Sequence, residues 1–315
     1  MTPTFLDLID LASERFGSAA IDANDEFFAA KDNMLKSAAP EWREGVYTER
    51  GKWMDGWETR RRRDVTAESH DWCVVRLGVP GIVRGVDVET THFTGNYPES
   101  CAVDVGDGSA WSELIPRSPL KGHSHNQFSA SSESPASHVR LRIYPDGGVA
   151  RLRIYGEVAA DWTRLKRRGD VDLAAAEHGG LVVACSDMFY GSRHNLIMPG
   201  DATHMGDGWE TRRRRGVGHD WTVVKLARPG AVRRIEVDTR HFKGNAPGAC
   251  SLEGSRTGPD AADWIALLER TPLEPHRQQS FEDGVRAIGE VAYVRFNIFP
   301  DGGVGRLRLY GRACD

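Results

Sequence analysis

Apolar and polar letters alternate in short runs along most of this chain. In His70-Asp-Trp-Cys-Val-Val-Arg-Leu-Gly, Val74 and Arg76 alternate as in a half-buried strand. A Pro80-Gly turn then leads into Ile82-Val-Arg-Gly-Val-Asp-Val-Glu-Thr, which reads as the next strand. The same succession returns as His219-Asp-Trp-Thr-Val-Val-Lys-Leu-Ala, Pro229-Gly and Val232-Arg-Arg-Ile-Glu-Val-Asp-Thr. Near the end of each half, Pro-Asp-Gly-Gly joins two alternating runs, Val139 to Tyr144 with Val149 to Gly156, and Val294 to Phe299 with Val304 to Gly311. The pattern predicts a hairpin there, because Gly accepts positive φ without penalty. Arg151, Arg153, Arg306 and Arg308 alternate with leucine and are expected to point away from the core. Helical spacing is confined to Phe5, Leu8, Ile9, Ala12 and Phe16, which predict one short amphipathic helix at the start.

The runs come in two sets because the chain is internally duplicated. Asp55-Gly-Trp-Glu-Thr-Arg-Arg-Arg-Arg63 recurs unchanged from Asp207 to Arg215. Upstream, Ala19, Phe27 and Asn33 match Leu181, Phe189 and Asn195 at an offset of 162, which falls to 152 at the nonapeptide. The first copy therefore carries ten extra residues within 36–52, read as a surface arm. Short strands with turns between them predict an all-β protein of two tandem β-sandwich domains. Residues 1–160 form the first repeat, 161–171 a charged linker and 172–315 the second repeat.

Composition narrows the class. A net charge of -4 argues against a general nucleic-acid binder despite the arginine runs. No apolar run reaches the roughly 18 residues of a membrane helix. The first residues, with Asp7, Asp10 and Glu14, do not read as a secretory signal. Five cysteines without a Cys-x-x-Cys pair indicate reduced thiols and a cytoplasmic protein.

Candidate chemistry lies in the duplicated polar motifs. Arg60 and Arg212 are candidates to grip a carboxylate through a guanidinium fork, against a reading as solvated structural ion pairs. Glu58 and Glu210 are candidate proton donors or bases. Asp55 and Asp207 read as turn residues, or as oxygen ligands of a calcium-like ion. His92-Phe-Thr-Gly-Asn96 and His241-Phe-Lys-Gly-Asn245 end a strand in a Gly loop, so His92 and His241 are candidate acid–base residues. Asn96 and Asn245 offer a donor and an acceptor to a urea-like group. His123 and His276 form a further equivalent pair and are candidate substrate contacts. No metal is assigned: the His, Asp and Glu spacings are not diagnostic, and a divalent ion stays an alternative.

Taken together, Lys36-Ser-Ala-Ala-Pro, Asp55-Gly-Trp-Glu-Thr-Arg-Arg, His92-Phe-Thr-Gly-Asn-Tyr-Pro and Ile143-Tyr-Pro-Asp-Gly-Gly-Val-Ala-Arg-Leu-Arg-Ile-Tyr-Gly156, with their second copies, resemble the allantoicase (allantoate amidinohydrolase) family. The resemblance covers nearly the whole chain. It implies tandem jelly-roll domains of the galactose-binding-like kind, hydrolysis of allantoate to ureidoglycolate and urea in purine degradation, and a homo-oligomer. Each half also resembles discoidin-type binding modules, so the rival expectation is a non-catalytic protein for a sugar or anionic ligand. A second rival is a hydrolase of another ureido acid.

Overall fold

The computed structural model describes residues 4–63, 65–167 and 169–314. The chain divides into two compact units, Met1–Ala159 and Ala160–Asp315. Each is almost entirely β-structure around one long strand.

In the first unit that strand is Asp71–Glu89, and it changes partners half-way. From Asp71 to Arg76 it lies between Ala19–Ala23 and Ala136–Tyr144. From Gly81 onward it lies between Arg151–Val158 and His125–Ser129. The change falls around Pro80, which has no N–H to give to a ladder. Two layers result. One continues from Ala136–Tyr144 to Ser100–Gly106 and Trp111–Pro119; the other ends on Ile9–Asp10, paired with Arg151–Val158. All pairings are antiparallel. Cys73, Val75, Val139, Leu141 and Ile143 from the first layer meet Val83, Val86, Val88, Leu152 and Ile154 from the second, all buried. The second unit repeats the arrangement around Asp220–Asp238, with the same path through Arg306–Ala313, Val291–Phe299, Ala249–Ser255 and Ile265–Pro272. This is the expected all-β sandwich, built twice.

Two local expectations are corrected. The N-terminal helix is absent: Phe5–Asp7 and Glu14–Phe16 are single 3-10 turns on either side of the edge strand Ile9–Asp10. Asp10 explains the change. Its carboxylate accepts the amides of Ala12 and Ile154, which ties the segment to the sheet edge instead of letting it coil. The Pro-Asp-Gly-Gly segments are not hairpins. Ala136–Tyr144 and Arg151–Val158 both pair with Asp71–Glu89 rather than with each other, so the turn carries the chain from one layer to the other. Gly147 and Gly302, at φ 139 and 134, supply backbone angles an L side chain rarely adopts.

Within 161–171, Trp162–Lys166 forms a short helix capped by Asp161, and Val171 is already paired with Gly311. The register of the repeats also locates the arm. The Pro40 carbonyl faces His92 as the Ala202 carbonyl faces His241. The Glu41 amide donates to Asp55 as Thr203 does to Asp207. The offset of 162 thus holds through residue 41, and the insertion lies beyond it, carrying the small ladder Tyr47–Thr48 with Gly51–Lys52.

Candidate functional site

Three sequence motifs converge on one buried ring. Phe93, fully buried, packs with Met54, Ala150 and Tyr97, and lies directly against Gly56 and Gly148. A methyl group on Gly148 would overlap the Phe93 ring, and Gly303 stands in the same relation to Phe242. The nonapeptide, the His-Phe loop and the Pro-Asp-Gly-Gly turn therefore recur together because each supplies one wall of a single contact. Trp57–Glu58 pairs with Gly148–Val149, and Asp146 accepts the Arg62 amide at 2.8 Å. In the second unit Trp209–Glu210 pairs with Gly303–Val304, and Asp301 accepts the Arg214 amide at 2.7 Å.

This lock carries two pairs of the expected side chains, both anchored on the loop 92–96. Asn96 donates to Glu58 at 2.7 Å, and Asn245 to Glu210 at 2.6 Å. Burial pushes the Glu58 carboxyl up from its ordinary range, and the Asn96 hydrogen bond offsets part of that rise. The His92 amide donates to Nδ1 of His123 at 2.9 Å, and His241 to His276 at 2.9 Å. His92, His123, His241 and His276 are, among the described residues, the non-glycine residues with positive φ, at 71, 50, 73 and 55°. Each such residue costs on the order of 1–2 kcal/mol, and strain of this kind concentrates where function requires it.

The hydrogen bonds fix the histidine tautomers. Nδ1 of His123 accepts an N–H, so a neutral His123 carries its proton on Nε2. Nε2 of His92 faces the Pro40 carbonyl at 3.2 Å and must be the protonated nitrogen, which leaves Nδ1 as a lone pair. His241 and the Ala202 carbonyl, 2.8 Å apart, repeat this. Each rim thus holds a lone-pair base, an N–H donor, a half-buried carboxyl and a side-chain amide.

Arg60 and Arg212 stand apart from this set. The Arg60 guanidinium is engaged by Asp25, with Nη2 at 2.7 Å and Nε at 2.9 Å, and the Arg60 amide donates to the same carboxylate. Arg212 is held likewise by Asp187. Asp25 and Asp187 also receive the nonapeptide tryptophans, Trp57 and Trp209, on their backbone carbonyls. The sequence motifs do not single out these two acids, although the repeat offset of 162 pairs them.

The expectation that Arg151 and Arg306 point outward is wrong. Arg151 is fully buried, with Nη2 2.6 Å from Asp55 and further bonds to the Ala38, Asp55 and Ala150 carbonyls. Arg306 pairs with Asp207 at 3.1 Å. Both begin a strand where the nonapeptide loop closes over them, and their donors are satisfied by the Asp55 and Asp207 carbonyls of that loop together with the carbonyls of Ala38 and Ala150, and of Gly200, Asp201 and Gly305. Asp55 is accordingly an ion-pair partner of Arg151 and Lys36 rather than an isolated turn residue. Burial alone would raise its pKa, but hydrogen bonds from Arg151, Lys36 and the Glu41 amide hold it down to about 2. Among the described residues no three His, Cys, Asp or Glu side chains are grouped as metal ligands.

Paired clefts also lie on the outer sheet faces. One of about 560 Å³ is lined by His70, Trp72, Trp111, Arg140 and Arg142, and one of about 580 Å³ by His219, Trp221, Arg295 and Asn297. Their chemistry is not shared, since Asn297 stands where Arg142 does, and Arg140 and Arg142 are both held by Asp104. In the rims, by contrast, the Glu–Asn and His–His pairs repeat residue for residue.

The Allantoicase repeat model matches residues 9–159 and 171–314, one match per unit. The chain belongs to the allantoicase family. It is 47% identical to a probable allantoicase of Pseudomonas aeruginosa (strain UCBPP-PA14) across 98% of this chain and 96% of that one. It is also 47% identical to a probable allantoicase 2 of Burkholderia pseudomallei (strain K96243), across 96% and 94%. The crystal structure of allantoicase from Saccharomyces cerevisiae superposes with a TM-score of 0.84 at 30% identity, covering 96% of this chain and 93% of that one. A likeness of this extent to an allantoicase confirms the tandem β-sandwich fold and identifies the chain as a hydrolase.

Proposed function

We propose that the chain hydrolyses allantoate to ureidoglycolate and urea, and that each repeat carries out the reaction at its Glu–Asn–His–His rim. Allantoate bears a carboxylate and two ureido groups on one carbon. Breaking one C–N bond expels urea, which leaves readily only if its nitrogen is protonated as the bond opens. Glu58 supplies that proton, because burial keeps its carboxyl protonated to higher pH than an exposed glutamate. The remaining ureido nitrogen donates its electron pair to the carbon, giving an imine-like intermediate. Water adds to that carbon while the free Nδ1 of His92 takes its proton, and ureidoglycolate is formed. His123 Nε2–H and the carbonyl oxygen of Asn96 hold the ureido arms. Glu210, His241, His276 and Asn245 act in the same roles in the second repeat.

The observation that carries this reading is the pairing of Glu58 with Asn96 and of His92 with His123, reproduced by Glu210, Asn245, His241 and His276. Urea release from allantoate tests it. Glu58→Gln with Glu210→Gln lowers kcat by about 10²–10⁴-fold, the range of general acid catalysis, while each single variant keeps about half the activity if both rims work alike. Full activity in the double variant removes the rim from the chemistry. The steps use side chains and water, so activity is expected to survive exhaustive chelation. We place the enzyme in the cytoplasm, as the five free thiols favour. We also expect self-association, for which the exposed Met188, Phe189 and Tyr190 offer an apolar patch.

A further inference from the structure

The rim as described lacks a partner for the substrate's carboxylate, and several cations around it are already engaged. Arg60 is held by Asp25, Lys36 by Asp55 and Arg43 by Glu41. One cation of the first repeat's arm is different. Lys52 is exposed and, among the described residues, has no carboxylate partner; its Nζ rests 3.9 Å from the centre of the Trp42 ring. Trp42 in turn lies 5.6 Å from the His92 ring. The ammonium is thus seated on an indole that itself adjoins the imidazole, and an indole face favours a cation.

The second repeat lacks the arm, and with it Lys52. It carries Lys243 inside the rim loop itself, between His241 and Asn245, where the first repeat has Thr94. Lys243 is exposed and likewise unpaired among the described residues. Each repeat thus has an exposed ammonium without a carboxylate partner near its rim loop, at two unrelated positions; in the first repeat Lys121, two residues from His123, is a further one among the described residues.

We infer that Lys52 and Lys243 are the carboxylate-binding residues of the first and second rims, a specificity-determining role that rests on the rim reading above. An ammonium is a point charge on a flexible stem, suited to a carboxylate that arrives from solvent. The ion pair selects a ureido acid over an uncharged ureide of the same shape.

Steady-state kinetics of the full chain test this with allantoate and its uncharged carboxamide as a competing ligand. Lys52→Gln with Lys243→Gln is expected to raise KM for allantoate about tenfold, equivalent to ~1.4 kcal/mol, with kcat within about twofold. Inhibition by the carboxamide is unaffected, and Lys52→Arg with Lys243→Arg restores much of the loss. An unchanged KM overturns the proposal. A KM that rises instead in Arg61→Gln with Arg213→Gln overturns it too, since those exposed arginines also lack ion pairs among the described residues. Either result leaves the rim chemistry standing; the rim itself falls only if the double glutamate variant stays active.

Discussion

In the first repeat Phe28 lies under the arm, in contact with Gly51, and Arg50 bonds the neighbouring Phe27 carbonyl. Its counterpart in the second repeat, Tyr190, is 63% exposed, beside Phe189 at 62% and Met188 at 49%. The chain thus shows the same surface with a cover and without one. Beneath it, the Phe93 and Phe242 locks, the Glu–Asn pairs and the strained histidines are alike. The arm differs, and so do two positions of the rim loop, where Thr94 and Tyr97 correspond to Lys243 and Ala246, while the Glu–Asn and His–His pairs are kept. Asp55 and Asp207 show the same contrast in degree: Asp55 is bonded by Arg151 and by Lys36, whereas Met198 occupies the place of Lys36 in the second repeat.

The largest test of this likeness removes the lock. Phe93→Ala or Phe242→Ala should each cost about 3–5 kcal/mol of the affected unit's stability, as for other buried phenylalanines, and guanidinium unfolding curves read the loss. Equal losses support equivalent rims; a loss confined to one repeat would mean that the other does not depend on its ring. Next in size is Arg151→Met against Arg306→Met. Truncating one member of a buried pair leaves an uncompensated charge and costs about 3–5 kcal/mol. The full effect is expected for Arg151, whose partner's side chain is 4% exposed, and a smaller one for Arg306, whose partner's is 13% exposed. The reverse order in measured unfolding midpoints would contradict the geometry.

The smallest effect is one of pH. The Asp55 pKa of about 2 lies below its unfolded value of roughly 3.9. Its contribution is therefore fully present above pH 4 and is lost as pH falls toward 2. Asp55→Asn should flatten that part of the stability profile, compared as guanidinium midpoints at pH 5 and pH 2.5. An unchanged slope would mean that other carboxylates carry the acid sensitivity.

Much of this architecture is legible in the amino-acid sequence. Period-two alternation and the duplicated motifs specify tandem sandwiches, since a strand that buries one face must alternate. The Glu–Asn and His–His groupings can be named as candidates because they recur as sets. What stays hidden depends on three-dimensional closure. The alternation that turns Arg153 to the sheet's outer side also turns Arg151, yet the loop carrying Asp55 folds over Arg151 and makes that outer side an interior. Helical spacing from Phe5 to Phe16 is real as a pattern, but the open edge of Arg151–Val158 offers Ile9–Asp10 a ladder that spacing cannot reveal. The passage from layer to layer at Pro145 resembles a hairpin in sequence because the choice of partner lies in Asp71–Glu89, far away along the chain. The sequence leaves Arg60 open between an ion pair and a ligand grip because its partner, Asp25, sits in a separate loop.

The left-handed histidines carry one more consequence. Asparagine and glycine occupy that backbone region more comfortably than histidine does, so laboratory selection for heat resistance alone should drift toward them at 92, 123, 241 and 276. Such drift would relax the loops while erasing the four imidazoles of the rims. On the proposed mechanism, durability and turnover compete for the same four residues.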